Sequence, residues 1–228
     1  MIEITPAVLP LTFAELEEYL EKVRGVSKWV QIDVTDGKFA GRPSWPVAKF
    51  DQNFESILRE ERGMPYWEDF DFEIDLMVED PFSLAQDFIK AGASRIIFHA
   101  ESVDIHEDKM LLDKIKTEGL VEVGIAVRSS TDEETIKELM EFADFFQVMT
   151  CDLIGVQGSP FDPKALVKIK LIKSWNPNML VAVDGAMTPE TVPLVVEAGA
   201  TRVAVGSYIL KSDNPHQAFE ELENLVQS

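Results

Sequence analysis

Apolar residues, many of them β-branched, gather in short runs at 2–9, 28–34, 70–78, 94–99, 121–127, 144–149, 179–183 and 202–206. Runs of this length, bounded by turn residues and apolar almost throughout, predict strands buried on both faces. Between them the period changes. Near 12–24, 50–61, 81–91, 105–118, 131–142, 163–174, 189–198 and 215–227 the spacing is helical, as Phe13, Leu16, Leu20 and Val23 show. Thr12 with Glu15, and Thr131 with Glu134, predict capping boxes. Asp80-Pro81, Asp162-Pro163, Thr188-Pro189 and Asn214-Pro215 each place a capping side chain before a proline at the first helical position. Gly25, Gly92, Gly119 and Gly199 mark helix ends. "AGASRIIF" (91–98) is echoed by "AGATRVAV" (198–205), helix end, tight turn and buried strand in both.

Eight strand–helix units in one chain without a linker predict an α/β fold, a (β/α)8 TIM barrel forming a single domain over residues 1–228. A doubly wound open sheet is the alternative. The second unit is the irregular one: a long loop and helix insertion at about 38–69 is expected to cover part of the barrel mouth. Its apolar segments "WPVAKF" and "MPYW" are expected at an interface of a homo-oligomer.

Composition narrows the function. The chain has 228 residues and a net charge of −20, which repels nucleic acid and anionic membranes. The lysines at 164, 168, 170 and 173 are expected mostly on the outer face of one helix, so they form no basic patch. No apolar stretch is long enough for a membrane span, and "MIEITPAVLP" does not read as a signal peptide. A single cysteine, Cys151, excludes an internal disulfide and fits a cytoplasmic location; with no basic partner nearby in sequence it is expected to be a passive thiol. A phosphorylated small molecule as partner would need a local site strong enough to overcome the acidic field.

Chemistry in such barrels sits at the C-terminal ends of the strands. Those positions here include Leu9, Asp33, Asp36, Asp75, His99, Arg128, Met149, Asp184, Gly206 and Ser207. Acids at the ends of buried strands point to proton transfer or cation binding. Asp36, followed by glycine, is expected to shape a turn.

"QIDVTDGKF", "DLMVEDP", "FHAES", "VAVDGAMTPETV" and "VAVGSYI" resemble, in order and spacing, the ribulose-phosphate 3-epimerase family of ribulose-phosphate-binding barrels. The resemblance spans nearly the whole chain and is poorest between 40 and 70. It implies interconversion of ribulose 5-phosphate and xylulose 5-phosphate, an isomerase reaction of the pentose phosphate pathway in carbohydrate metabolism. Asp33 and Asp184 would be the acid/base pair at carbon 3. Met77 and Met149 would line the pocket. Backbone at Gly155, Gln157, Gly158, Gly185, Ala186, Gly206 and Ser207 would hold a small phosphorylated sugar, provided that Ala186 avoids positive φ. The family's metal is held by two histidines and the two aspartates. The histidine positions fall here at Gln31 and Asp75, leaving Gln31, Asp33, Asp75 and Asp184 as an all-oxygen set that favours Mg²⁺ or Mn²⁺ over Zn²⁺. His99, His106 and His216 match no ligand position. With no cation, one acid would stay protonated or a protein cation such as Arg42 would intrude. Further departures are Ala7 and Thr35, in place of a serine and a third methionine, and a sixth loop with Val156 in place of a glycine. They leave an alternative: a catalytically inactive phosphosugar-binding, assembly or regulatory barrel. A decarboxylase or aldolase of the neighbouring barrel families would carry D-x-K-x-x-D at the second strand, where Thr35 stands in the lysine's place.

Overall fold

The computed structural model describes residues 2–103, 105–156 and 158–227, with the side chains of 105–107 excepted. The eight apolar runs become β1 (Glu3–Val8), β2 (Trp29–Thr35), β3 (Asp71–Met77), β4 (Ala93–His99), β5 (Glu122–Val127), β6 (Phe145–Met149), β7 (Leu180–Asp184) and β8 (Arg202–Val205). All pair in parallel, and β8 returns to β1 to close the barrel. The outer elements are α1 (Phe13–Val23), α2 (Gln52–Leu58), α3 (Pro81–Lys90), α4 (Ile105–Glu118), α5 (Glu133–Leu139), α6 (Lys164–Trp175), α7 (Val192–Ala198), α8 (Ser207–Leu210) and α9 (Pro215–Gln227). The short α8, after β8, and a 3-10 turn at Ala100–Ser102 are additions to the sequence-based expectation. The (β/α)8 barrel is therefore the fold, and among the described residues no helix is long and apolar enough to cross a membrane.

The apolar core lies mainly between the strand ring and the helices, where residues such as Leu16, Ile32, Ile74, Ile96 and Val203 are fully buried. Alternation along each strand puts the opposite set inside the ring, and that lumen mixes buried polar side chains, Thr5, Gln31, Glu73, Asp75, Arg95, His99 and Gln147, with a second apolar cluster that includes Met77, Ile97, Phe145 and Met149. At its lower end Arg95 pairs with Glu3 at 2.7 Å and Glu73 at 3.3 Å and lies 3.4 Å over the Trp29 ring, while Arg202 meets Glu122 at 2.9 Å. Phe145 fills the ring just above. Gly124 makes the room, since a Cβ there would sit 2.4 Å from the Phe145 ring.

Several local expectations change. Asp132, not Thr131, caps α5 and accepts from Thr135 N; Thr131 Oγ1 instead accepts from the Arg128 N–H. Thr188-Pro189 forms a turn closed by Thr191, and α7 starts at Val192. Lys168 does not lie on an outer face: it is buried and donates to Thr131 O at 2.5 Å, because α6 turns that side toward the β5 loop. In the 38–69 stretch only the first residues reach the mouth. Trp45 is buried among Phe13, Phe54 and Phe88, and α2 packs outside the ring. Trp45 and Met64, from the two segments expected at an interface, are thus internal, while Phe50 and Trp67 stay exposed.

Candidate active site

β2 and β3 run in register with Asp33 opposite Asp75, and β6 and β7 with Met149 opposite Asp184. Ring closure brings the three acids together: one carboxylate oxygen from each of Asp33, Asp75 and Asp184 lies within 4.8 Å of the others. Thr150 holds Asp184 in place, its N–H donating to Asp184 O at 2.7 Å and its hydroxyl to the same carbonyl and to Gly185 O.

Asp33 and Asp184 form the floor of a chamber of about 60 Å³. Ala7, Met77, Met149, Cys151, Gly155, Gly158, Gly185, Ala186, Gly206 and Ser207 also line it. Gln31 and Asp75 are fully buried beside them and do not line the chamber. Gln157 lies outside the described residues, as does the side chain of His106.

The hydrogen bonds under the floor explain the buried residues. Gln31 Nε2 donates to Asp33 Oδ1 at 2.8 Å. Asp75 accepts from His99 Nε2 at 2.8 Å and from Gln147 Nε2 at 2.8 Å. Where Asp75 is ionised it can only accept, which places the His99 proton on Nε2. Sequence reasoning missed Gln147 and gave His99 no role. Their signal was a polar side chain inside an otherwise apolar strand. Arg42 supplies no charge to the acids; its exposed side chain lines a separate cavity, and its carbonyl accepts from Thr35 Oγ1 at 2.6 Å.

Asp33 and Asp184 each keep a strip of surface toward the chamber, yet dense protein around them removes most solvation. Burial therefore raises Asp33 well above the usual carboxylate range, helped by the charges of Asp184 and Asp75 and opposed by the Gln31 amide. Burial, with Asp75, pushes Asp184 up to about 7, against the Gly185 N–H, Gln31 and His99. Asp36 behaves differently. Burial works upward on it too, but N–H groups of Glu79, Lys38 and Phe39 hold its carboxyl below the usual range, and it shapes the turn. Burial and Asp184 push the Cys151 thiol up to about 12, so it is no nucleophile.

The donor set fits a hard cation. Three carboxylates converge, and Gln31 Oε1 is buried without a partner. A divalent ion among the acids would relieve their mutual repulsion and draw that amide oxygen in place of the nitrogen.

Ala186 has φ +52, the conformation its glycine-like position was expected to avoid, and its carbonyl accepts from Thr191 Oγ1 at 2.8 Å. Gly185, at φ +104, is strained for any other residue, and a Cβ there would meet Cys151 Sγ at 2.6 Å, so the thiol would have to shift. Over the mouth, Gly41 and Gly155 touch so closely that a Cβ on Gly41 would lie 2.5 Å from Gly155 O. Leu153–Val156 thus form a partition between the inner chamber and an outer cavity of about 770 Å³.

A family model described as the ribulose-phosphate 3 epimerase family matches residues 3–210. A ribulose-phosphate 3-epimerase of Bacillus subtilis is 30% identical over 97% of this chain and 98% of its own. One of Candida glabrata is 28% identical over 98% of this chain and 92% of its own. Among solved structures, 3-keto-L-gulonate-6-phosphate decarboxylase from Vibrio cholerae superposes with a TM-score of 0.72 at 13% identity, covering 100% of this chain and 98% of that one, a likeness of fold.

Proposed function

Because the chain belongs to the ribulose-phosphate 3-epimerase family, we propose that it interconverts ribulose 5-phosphate and xylulose 5-phosphate through Asp33 and Asp184. The observation that carries this reading is the pair itself: two acids on strands β2 and β7, at the floor of one chamber, Asp33 raised well above the usual carboxylate range by burial and Asp184 raised to about 7. Near pH 7 such a pair can hold one proton between its two members. The ionised member takes the proton from carbon 3; the C–H electron pair forms the C2=C3 bond and the ketone oxygen takes the charge, giving an enediolate. The protonated member then delivers its proton to the opposite face, and the reverse reaction exchanges the roles. Met77 and Met149 keep water from the reacting carbon, and the Gln31 N–H steadies Asp33.

Backbone at Gly155, Gln157, Gly158, Gly185, Gly206 and Ser207 is assigned to the phosphate, and Ala186, at φ +52, is left out because it fails the condition set for its N–H. The inner chamber falls well below the roughly 300 Å³ at which ligand pockets begin, so the Leu153–Val156 partition moves aside when sugar enters. A divalent cation held by Asp33, Asp75 and Asp184, with Gln31 Oε1, would supply polarisation of the ketone and charge for the enediolate. Oxygen donors favour Mg²⁺ or Mn²⁺ over Zn²⁺ there. A cytoplasmic homo-oligomer belongs to the same reading, supported by the lone unpaired cysteine and by exposed Phe50 and Trp67.

The test is metal-stripped protein with ribulose 5-phosphate in deuterated water, with and without Mg²⁺, Mn²⁺ or Zn²⁺, following label at carbon 3 by mass spectrometry. Incorporation that Asp33→Asn and Asp184→Asn each reduce by about 10²–10⁴-fold supports the reading. Tight binding without exchange under any metal would show a phosphosugar-binding barrel instead.

A further inference from the structure

The chain contains seven arginines. Arg24, Arg59, Arg62, Arg95 and Arg202 each meet a carboxylate within 4.0 Å. Arg42 and Arg128 meet none among the described residues, although acids outnumber bases by 41 to 21. Both line the same outer cavity of about 770 Å³. Their backbones are pinned: the Arg42 carbonyl by Thr35 Oγ1 at 2.6 Å, the Arg128 N–H by Thr131 Oγ1 at 2.8 Å. Arg128 Nε is buried without a partner, and its guanidinium lies 5.5 Å from the Phe39 ring centre. Of the two carboxylates on the cavity wall, Glu15 is held by the Leu11 N–H at 2.7 Å and Asp152 is exposed at the rim.

Two guanidiniums without a carboxylate partner, on pinned backbones in a half-apolar cavity, suit an anionic oxygen group, which such planar forks bind bidentately. The cavity shares the Leu153–Val156 partition with the inner chamber. Arg128 follows β5 and Arg42 lies in the loop after β2, whereas the phosphate backbone at Gly185, Gly206 and Ser207 follows β7 and β8; neither arginine lines the inner chamber, and Gly155, after β6, borders both cavities. We propose that Arg42 and Arg128 form a second anion subsite for the end of the ketose remote from its phosphate, so that this barrel prefers acyclic sugars carrying two anionic groups. The proposal rests on the reading of the inner chamber as a ketose-phosphate site.

Isothermal titration of the full chain with ribulose 5-phosphate and with ribulose 1,5-bisphosphate, at one ionic strength, tests it. The native protein should bind the bisphosphate about tenfold more tightly, the gain of one or two charge-assisted hydrogen bonds at a half-open site. Arg42→Gln/Arg128→Gln should erase that preference and leave monophosphate affinity within about twofold, since neither side chain lines the inner chamber. Equal affinities in the native protein, or a preference surviving in the folded double variant, overturn the subsite. Binding of neither ligand overturns the ketose-phosphate reading and the subsite with it, whereas monophosphate binding without preference removes the subsite alone. The native comparison decides even where the double variant fails to fold.

Discussion

Ala186 sits at φ +52, where an L-residue costs about 1–2 kcal/mol. Replacing it with glycine removes that cost but loosens the unfolded chain by about 0.4–1 kcal/mol. Ala186→Gly should therefore raise stability by roughly 0.5–1 kcal/mol, read as a shift in the midpoint of urea unfolding. An unchanged midpoint would mean that the Thr191 bond already relieves the turn. Asp33 is strained in another way. Its carboxylate is destabilised by burial and by Asp184 and Asp75, so its ionised form weakens the native state. Asp33→Asn should abolish exchange at carbon 3 yet raise the stability at pH 8 by about 1–2 kcal/mol, the trade-off of a strained active site. A variant that lost both would show that Asp33 is structural. Asp33 and Asp184 were legible in the sequence because strand ends and family motifs mark them. The roles of His99 and Gln147 were not, because a single polar residue in an apolar run does not say which strand its partner comes from.

At the scale of elements, the second unit was the hardest to read. Its low regularity suggested a loop and helix covering part of the mouth, and the structure divides the stretch. Phe39 to Arg42 line the mouth, Trp45 anchors the loop in the outer core, and α2 completes the ring. Ser44 ties the two parts, its hydroxyl accepting from Thr35 N at 2.9 Å. Trp45 is buried against three aromatic rings, so Trp45→Ala should cost about 3–5 kcal/mol. Measured in thermal unfolding, a loss below about 1 kcal/mol would mean that the loop collapses into the space. The helix starts show the limits of motif reading: Thr131 and Asp132 are adjacent and both can cap. The choice follows from Arg128, whose N–H takes the threonine hydroxyl.

At the scale of the whole molecule, the barrel is closed below by a buried charge cluster. Burial pushes Glu73 up to about 7, against the pull of Arg95 and Arg202. A carboxyl raised from its ordinary 4.5 binds more protons folded than unfolded, so its contribution is complete below pH 4.5 and is lost as pH rises through 7. The shift corresponds to a loss on the order of 3 kcal/mol across that window. Glu73→Gln should flatten this part of the stability–pH curve relative to the native chain, measured by urea unfolding from pH 4.5 to 8. Parallel curves for the two proteins would show that Arg95 keeps Glu73 ionised throughout.

The number and order of the units, the strands' burial on both faces and the placing of acids at their C-terminal ends were all readable from the chain as written. These rest on period, capping and turn chemistry, which act over a few residues. Folding in three dimensions was needed to bring Asp75 to His99 and to Gln147, 72 positions away in the chain. It was needed as well to place Arg42 in one cavity with Arg128, apart from the acids, and to divide the mouth into two cavities. Such contacts depend on the register in which eight strands close a ring, and no local pattern carries that register.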